Sequence, residues 1–145
     1  MATVRRAEAV WEGDLLAGKG RVSARSSGAF KDQPVSWAAR TETPDGKTSP
    51  EELLAAAHAS CFAMALSAGL ARNKTPATRL EVGAQVTFDK AGAGFKVTSS
   101  ALEVKGSVKG IDAAGFAKAA EAAKDGCPIS AALKIRMSVQ AALQA

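Results

Sequence analysis

The chain has 145 residues, 47% hydrophobic and 23% charged, a balance that excludes a disordered tract and suits one domain, taken as residues 1–145. A formal charge of +5 raises the question of a nucleic-acid partner. Its lysines and arginines are scattered, with Arg5-Arg6 the only adjacent pair, and the few aromatics form no stacking platform, so nucleic acid is excluded as the expected partner.

Residues 1–20 hold no apolar run of signal-peptide length, and the expected location is cytoplasmic. Short strand-like runs follow, "TVRRAEAVW", "RVSAR" and "VSWAAR", punctuated by glycines, which predict an antiparallel meander. This places Arg40 at the end of a strand. "TETPDGKT", from Thr41 to Thr48, has turn chemistry and leads into the best-marked helix of the chain. Ser49 is an N-cap, Pro50 fits the first helical position and Glu52 stands where a capping box closes, so the helix runs from Ser49 to about Arg72. Glu51 faces another direction, with no local partner.

Beyond "RNKTP", "RLEVGAQVTFD" and "GFKVTSSALEVKGSVKG" alternate with period two across "KAGAG", a hairpin of two longer strands. "IDAAGFAKAAEAAKDG" is helical, capped by Asp112 and ended at Gly126, and "CPISAAL" opens a second short helix on Pro128. "KIRMSVQAAL" is a final strand. The order of elements makes the fold α+β.

The helix after Ser49 is apolar nearly all round, with Cys61 at the centre of its most apolar face on a helical wheel. A core helix or a membrane span has this character. The run is dominated by small alanine and serine and contains His58, which argues against a membrane, whereas a homodimer would supply the wall that one small chain lacks. Two cysteines in a reducing compartment are free thiols, a reversible redox couple or an incomplete metal site. Cys61 alone would pack as a small hydrophobe. Cys127 immediately precedes a helix opened by proline, where backbone N–H groups lower a thiol pKa, and this makes a redox couple reasonable. His58 is a core or interface histidine, or a tuner of the thiol one turn away.

Together "WEGD", "GKG", Arg40, "SPEELLAAAHASCFAMALS" and "DGCPIS" before a terminal strand resemble the OsmC/Ohr family of thiol-dependent peroxidases over essentially the whole chain. The resemblance implies an intertwined homodimer with long central helices enclosed by antiparallel sheets. It also implies that Cys61 is the peroxidatic cysteine, Cys127 the resolving cysteine, Arg40 the cation that stabilises the thiolate and Glu51 the carboxylate that orients it. Organic hydroperoxides are then the substrates, a dithiol of lipoyl type the reductant, and no haem, flavin or metal is required. Two other functions use the same cysteines: a non-catalytic stress protein that binds a small ligand, and a redox sensor.

Overall fold

The computed structural model describes residues 1–144. They fall into two compact units, Met1–Leu53 and the chain from Leu54 onward.

The first unit opens with β1 (Ala7–Glu12), β2 (Lys19–Ala24) and β3 (Gln33–Val35), paired antiparallel in that order. Asp14 ties the turn between the first two strands, its carboxylate accepting from the Leu16 and Ala17 N–H groups. Trp11 stands opposite Gly20, where a methyl group would lie 2.7 Å from the indole, so only glycine lets the ring lie across the pair. All six residues of β1 are exposed.

At "VSWAAR" the expected third strand of the meander ends early, at Val35, and the chain turns into a short helix, α1 (Trp37–Thr41). Ser36 is the cause: its backbone is extended and its hydroxyl accepts from the Ala39 N–H at 3.1 Å, an N-cap inside what alternation alone makes a strand. Arg40 therefore lies in the last turn of a helix, not at the end of a strand.

The long helix α2 (Pro50–Arg72) begins where its cap predicts, with Ser49 Oγ accepting from the Glu52 N–H at 3.1 Å. The Glu52 carboxylate, expected to return to the cap, accepts from Thr48 Oγ1 at 2.8 Å. Along α2 the buried stripe is His58, Phe62, Leu66 and Leu70, one residue per turn. Cys61 stands beside that stripe, half-buried, and Ala57, Met64 and Ala68 near it are exposed. The face centred on Cys61 is thus not the most buried one, because Phe62, Leu66 and Leu70 bury far more area than alanines do. By length and composition α2 is apolar enough to cross a membrane, with a mean hydropathy of 1.7 over a window of which 22% is buried inside the chain.

In the second unit β4 (Ala77–Ala91) and β5 (Gly94–Val108) form the predicted hairpin, closing on Gly92 with φ 62°. β6 (Arg136–Gln144) joins β5 in parallel, where only antiparallel pairing was expected. The chain crosses over through α3 (Ala113–Gly126) and α4 (Pro128–Ala132) before returning, and such a crossover brings a strand back in the same direction. Ser100, Leu102, Val104, Gly106 and Val108 alternate onto the inner face of β5. Leu102, Val104 and Val108 share a core with Phe62, Leu66 and Leu70 of α2 and Phe116, Ala120 and Ala123 of α3.

Phe116 is fully buried over Gly106, and a methyl group on that glycine would fall 2.8 Å from Phe116 Cε2. Gly106→Ala is expected to lower the unfolding free energy by about 1–3 kcal/mol, the usual cost of overpacking. A denaturant titration by circular dichroism checks this, and an unchanged midpoint refutes it.

Candidate functional site

In the first unit the capped starts of two helices bring Arg40 and Glu51 together. Glu51 is second in α2 and buried, and its carboxylate takes no part in the Glu52–Thr48 bond. Arg40 Nη2 donates to Glu51 Oε1 at 2.7 Å, and Nε lies 3.1 Å from both carboxylate oxygens. This is a side-on, charge-assisted pairing that fixes the guanidinium plane. The Arg40 side chain is 30% exposed against 10% for Glu51, and Cζ stands 5.9 Å from the Trp37 ring centroid. Trp11, Leu15, Val35, Trp37 and Arg40 line a cleft of about 310 Å³ in this unit.

The second unit holds both cysteines, unbridged. Cys127 is fully buried, and it is both the C-cap of α3 and the N-cap of α4. Its N–H donates to the Ala123 carbonyl at 2.9 Å, so the sulfur is held where one helix ends and the next begins. Cys61 packs against the same core from α2, and the two thiols interact directly.

Burial pushes the Cys61 thiol up, and its hydrogen bond to Cys127 pushes it further, against a weaker downward pull from the Ile129 backbone. Burial also acts to raise Cys127. Hydrogen bonding from Cys61, from the Ser130 N–H and hydroxyl and from the Ile129 N–H outweighs it, and the Cys127 thiol is lowered. Of the two sulfurs in this unit, Cys127 ionises more readily, as its position before Pro128 predicts.

His58 lies one turn before Cys61 and is fully buried. Its Nδ1 is 2.7 Å from Ser100 Oγ and its Nε2 is 2.7 Å from Ser130 Oγ. Burial holds the imidazole below its ordinary pKa, so the ring is neutral at neutral pH. With both ring nitrogens bonded to serines, His58 has none to offer a metal. Among the described residues no three of His, Cys, Asp and Glu come together as a metal site.

Cys61 and Cys127 therefore meet in one unit, and Arg40 and Glu51 in the other. Ser100 and Ser130, the partners of His58, were missed in the sequence. A signal for Ser100 was present: it occupies an inward position of β5 in register with Leu102 and Val104, where a polar side chain needs a buried partner. For Ser130 the signal was its place third in a helix capped by Cys127, where N-cap and N3 side chains face one another.

The family model for OsmC-like protein matches residues 43–141. Peroxiredoxin OsmC of Escherichia coli K12 is 42% identical over 139 residues, 96% of each chain. Among solved structures, the organic hydroperoxide resistance protein OhrB of Bacillus subtilis superposes with a TM-score of 0.71 at 25% identity, over 96% of this chain and 98% of its own. An OsmC-like protein of Mycoplasma pneumoniae gives a TM-score of 0.74 at 12% identity over the full length of both, a likeness of fold alone.

Proposed function

Because the chain belongs to the OsmC-like family, we propose that it is a peroxidase that reduces organic hydroperoxides to alcohols with its two cysteines. The observation that carries this reading is that Cys61 and Cys127 pack in one core, although 66 positions separate them in sequence.

The Cys61 thiolate attacks the distal oxygen of ROOH. The O–O bond breaks, RO⁻ takes a proton and leaves as ROH, and Cys61 becomes a sulfenic acid. The Cys127 thiolate then attacks the Cys61 sulfur, the S–O bond breaks, and the departing hydroxide takes a proton to leave as water. An external dithiol, of lipoyl type in this reading, reduces the Cys61–Cys127 disulfide and is itself oxidised to a disulfide.

The raised pKa of Cys61 defines what else the chemistry needs, namely a cation that cannot lose its proton. We assign that role to Arg40, with Glu51 as the residue that orients it, and their mutual bonding supports the pairing. The apolar residues of the core favour an organic substrate over hydrogen peroxide.

The working form in this reading is a cytoplasmic homodimer of single domains spanning residues 1–145, with α2 central, and with neither membrane nor nucleic acid as a partner. The exposed length of β1 and the exposure of Leu16 (77%) and Met64 (73%) support a partner surface.

One equivalent of tert-butyl hydroperoxide, followed by thiol titration and intact mass, tests the proposal. The expected result is loss of both thiols with no covalently linked dimer. Two thiols surviving the peroxide would overturn it.

A further inference from the structure

Ser130 Oγ carries one proton and has two neighbours that can take it, His58 Nε2 and the Cys127 sulfur. Which of them receives it depends on the imidazole. If the ring carries its hydrogen on Nδ1, Ser130 must donate to Nε2, and only lone pairs remain to face Cys127. If the hydrogen is on Nε2, the ring donates to Ser130, Ser100 donates to Nδ1, and the Ser130 proton is available to the sulfur. A thiolate accepts and cannot donate, so an ionised Cys127 gains the Ser130 hydroxyl as a donor, beside the Ser130 and Ile129 N–H groups, only in the second arrangement.

We propose that His58 is a positioning residue for Cys127: held in its Nε2–H form between Ser100 and Ser130, it turns the Ser130 hydroxyl proton onto the Cys127 sulfur. Three observations carry this. All three members of the chain, Ser100, His58 and Ser130, are buried, and the two bonds that join them are 2.7 Å. Cys127 and Ser130 are the N-cap and N3 residues of α4, the spacing at which an N3 side chain can reach back toward its cap. Neither ring nitrogen has water to compensate a wrong tautomer, because the ring is fully buried.

The groups that act on Cys127 are the Cys61 thiol from α2 and Ile129 and Ser130 of α4, while Lys124, in the last turn of α3, is engaged with Glu121 and Asp125. On the proposed function, the Cys127 thiolate attacks the oxidised Cys61, so the histidine acts on the disulfide-forming step through a serine and touches no reacting atom. The inference rests on that reading for its consequence, but its test uses no peroxide.

His58 is the only histidine in the chain, so nitrogen NMR of the reduced protein reads its tautomer without ambiguity. The expected state above the Cys127 midpoint is Nε2–H, and a ring carrying its hydrogen on Nδ1 overturns the proposal. In a Cys61→Ala background Cys127 is the sole thiol, and its ultraviolet thiolate absorbance can be titrated directly. Ser130→Ala and His58→Leu are each expected to raise the midpoint by about one pH unit, a tenfold loss of thiolate at a given pH. A midpoint unmoved in either folded variant also overturns it. If His58→Leu does not fold, the tautomer and Ser130→Ala decide.

Discussion

Cys61→Ser is expected to consume no tert-butyl hydroperoxide above the uncatalysed rate. Removing a nucleophile can cost on the order of a millionfold, and a hydroxyl of far higher pKa than a thiol offers no anion to replace it. Cys127→Ser is expected to behave differently: one equivalent of alcohol forms, turnover stops, and Cys61 gains one oxygen as a sulfenic acid that a dimedone-type reagent traps. The contrast matters because Cys127 is the more acidic of the two thiols in its unit, while the proposed function assigns the peroxide to Cys61. Acidity alone does not select the nucleophile, since reach to the substrate counts equally and Cys127 is fully buried whereas Cys61 is partly exposed. Were Cys61→Ser to give the single turnover and Cys127→Ser none, the two roles would be exchanged. Normal turnover by Cys61→Ser would end the mechanism.

The elements most legible in the sequence were those with a local cause. The cap at Ser49 fixed the start of α2, Asp112 that of α3, and period-two alternation gave β4, β5 and β6. What misled was periodicity read without capping. Ser36 looked like one more polar residue of a strand, and its hydroxyl instead starts the helix that carries Arg40. The wheel that centred on Cys61 counted alanines equally with Phe62, Leu66 and Leu70, although burial follows area. The parallel strand pair follows from the two helices between β5 and β6, which let the chain return in the same direction, a consequence of connection length that strand periodicity does not carry. Around the candidate site the pairing of Arg40 with Glu51 joins two residues that the sequence names, whereas the serines that hold His58 come from segments 42 and 72 positions away and leave no local signal of their partner.

The second large effect is expected at the Arg40–Glu51 pair. A guanidinium within about 4 Å of a thiolate is worth roughly 4 kcal/mol at an effective dielectric near 20, enough to offset the burial that raises Cys61. On the proposed function Arg40→Met therefore costs on the order of a hundredfold or more in kcat/KM and moves the pH profile to higher pH. Glu51→Gln keeps the shape of the side chain and removes its charge. Hydrogen bonds to charged groups are worth about 1.5–3 kcal/mol, so a loss of tens to a hundredfold is expected as the guanidinium loses its fixed direction. Arg40→Lys keeps the charge but cannot reproduce the paired contact of Nε and Nη2 with the carboxylate, and is expected to resemble Glu51→Gln rather than the parent. The double variant separates a shared role from two independent ones. Glu51 acting only through Arg40 makes Arg40→Met with Glu51→Gln no worse than Arg40→Met alone, a strong departure from additivity. Simple multiplication of the two losses would instead give the carboxylate a role of its own, and undiminished turnover in Arg40→Met would leave the Cys61 thiolate without the cation assigned to it.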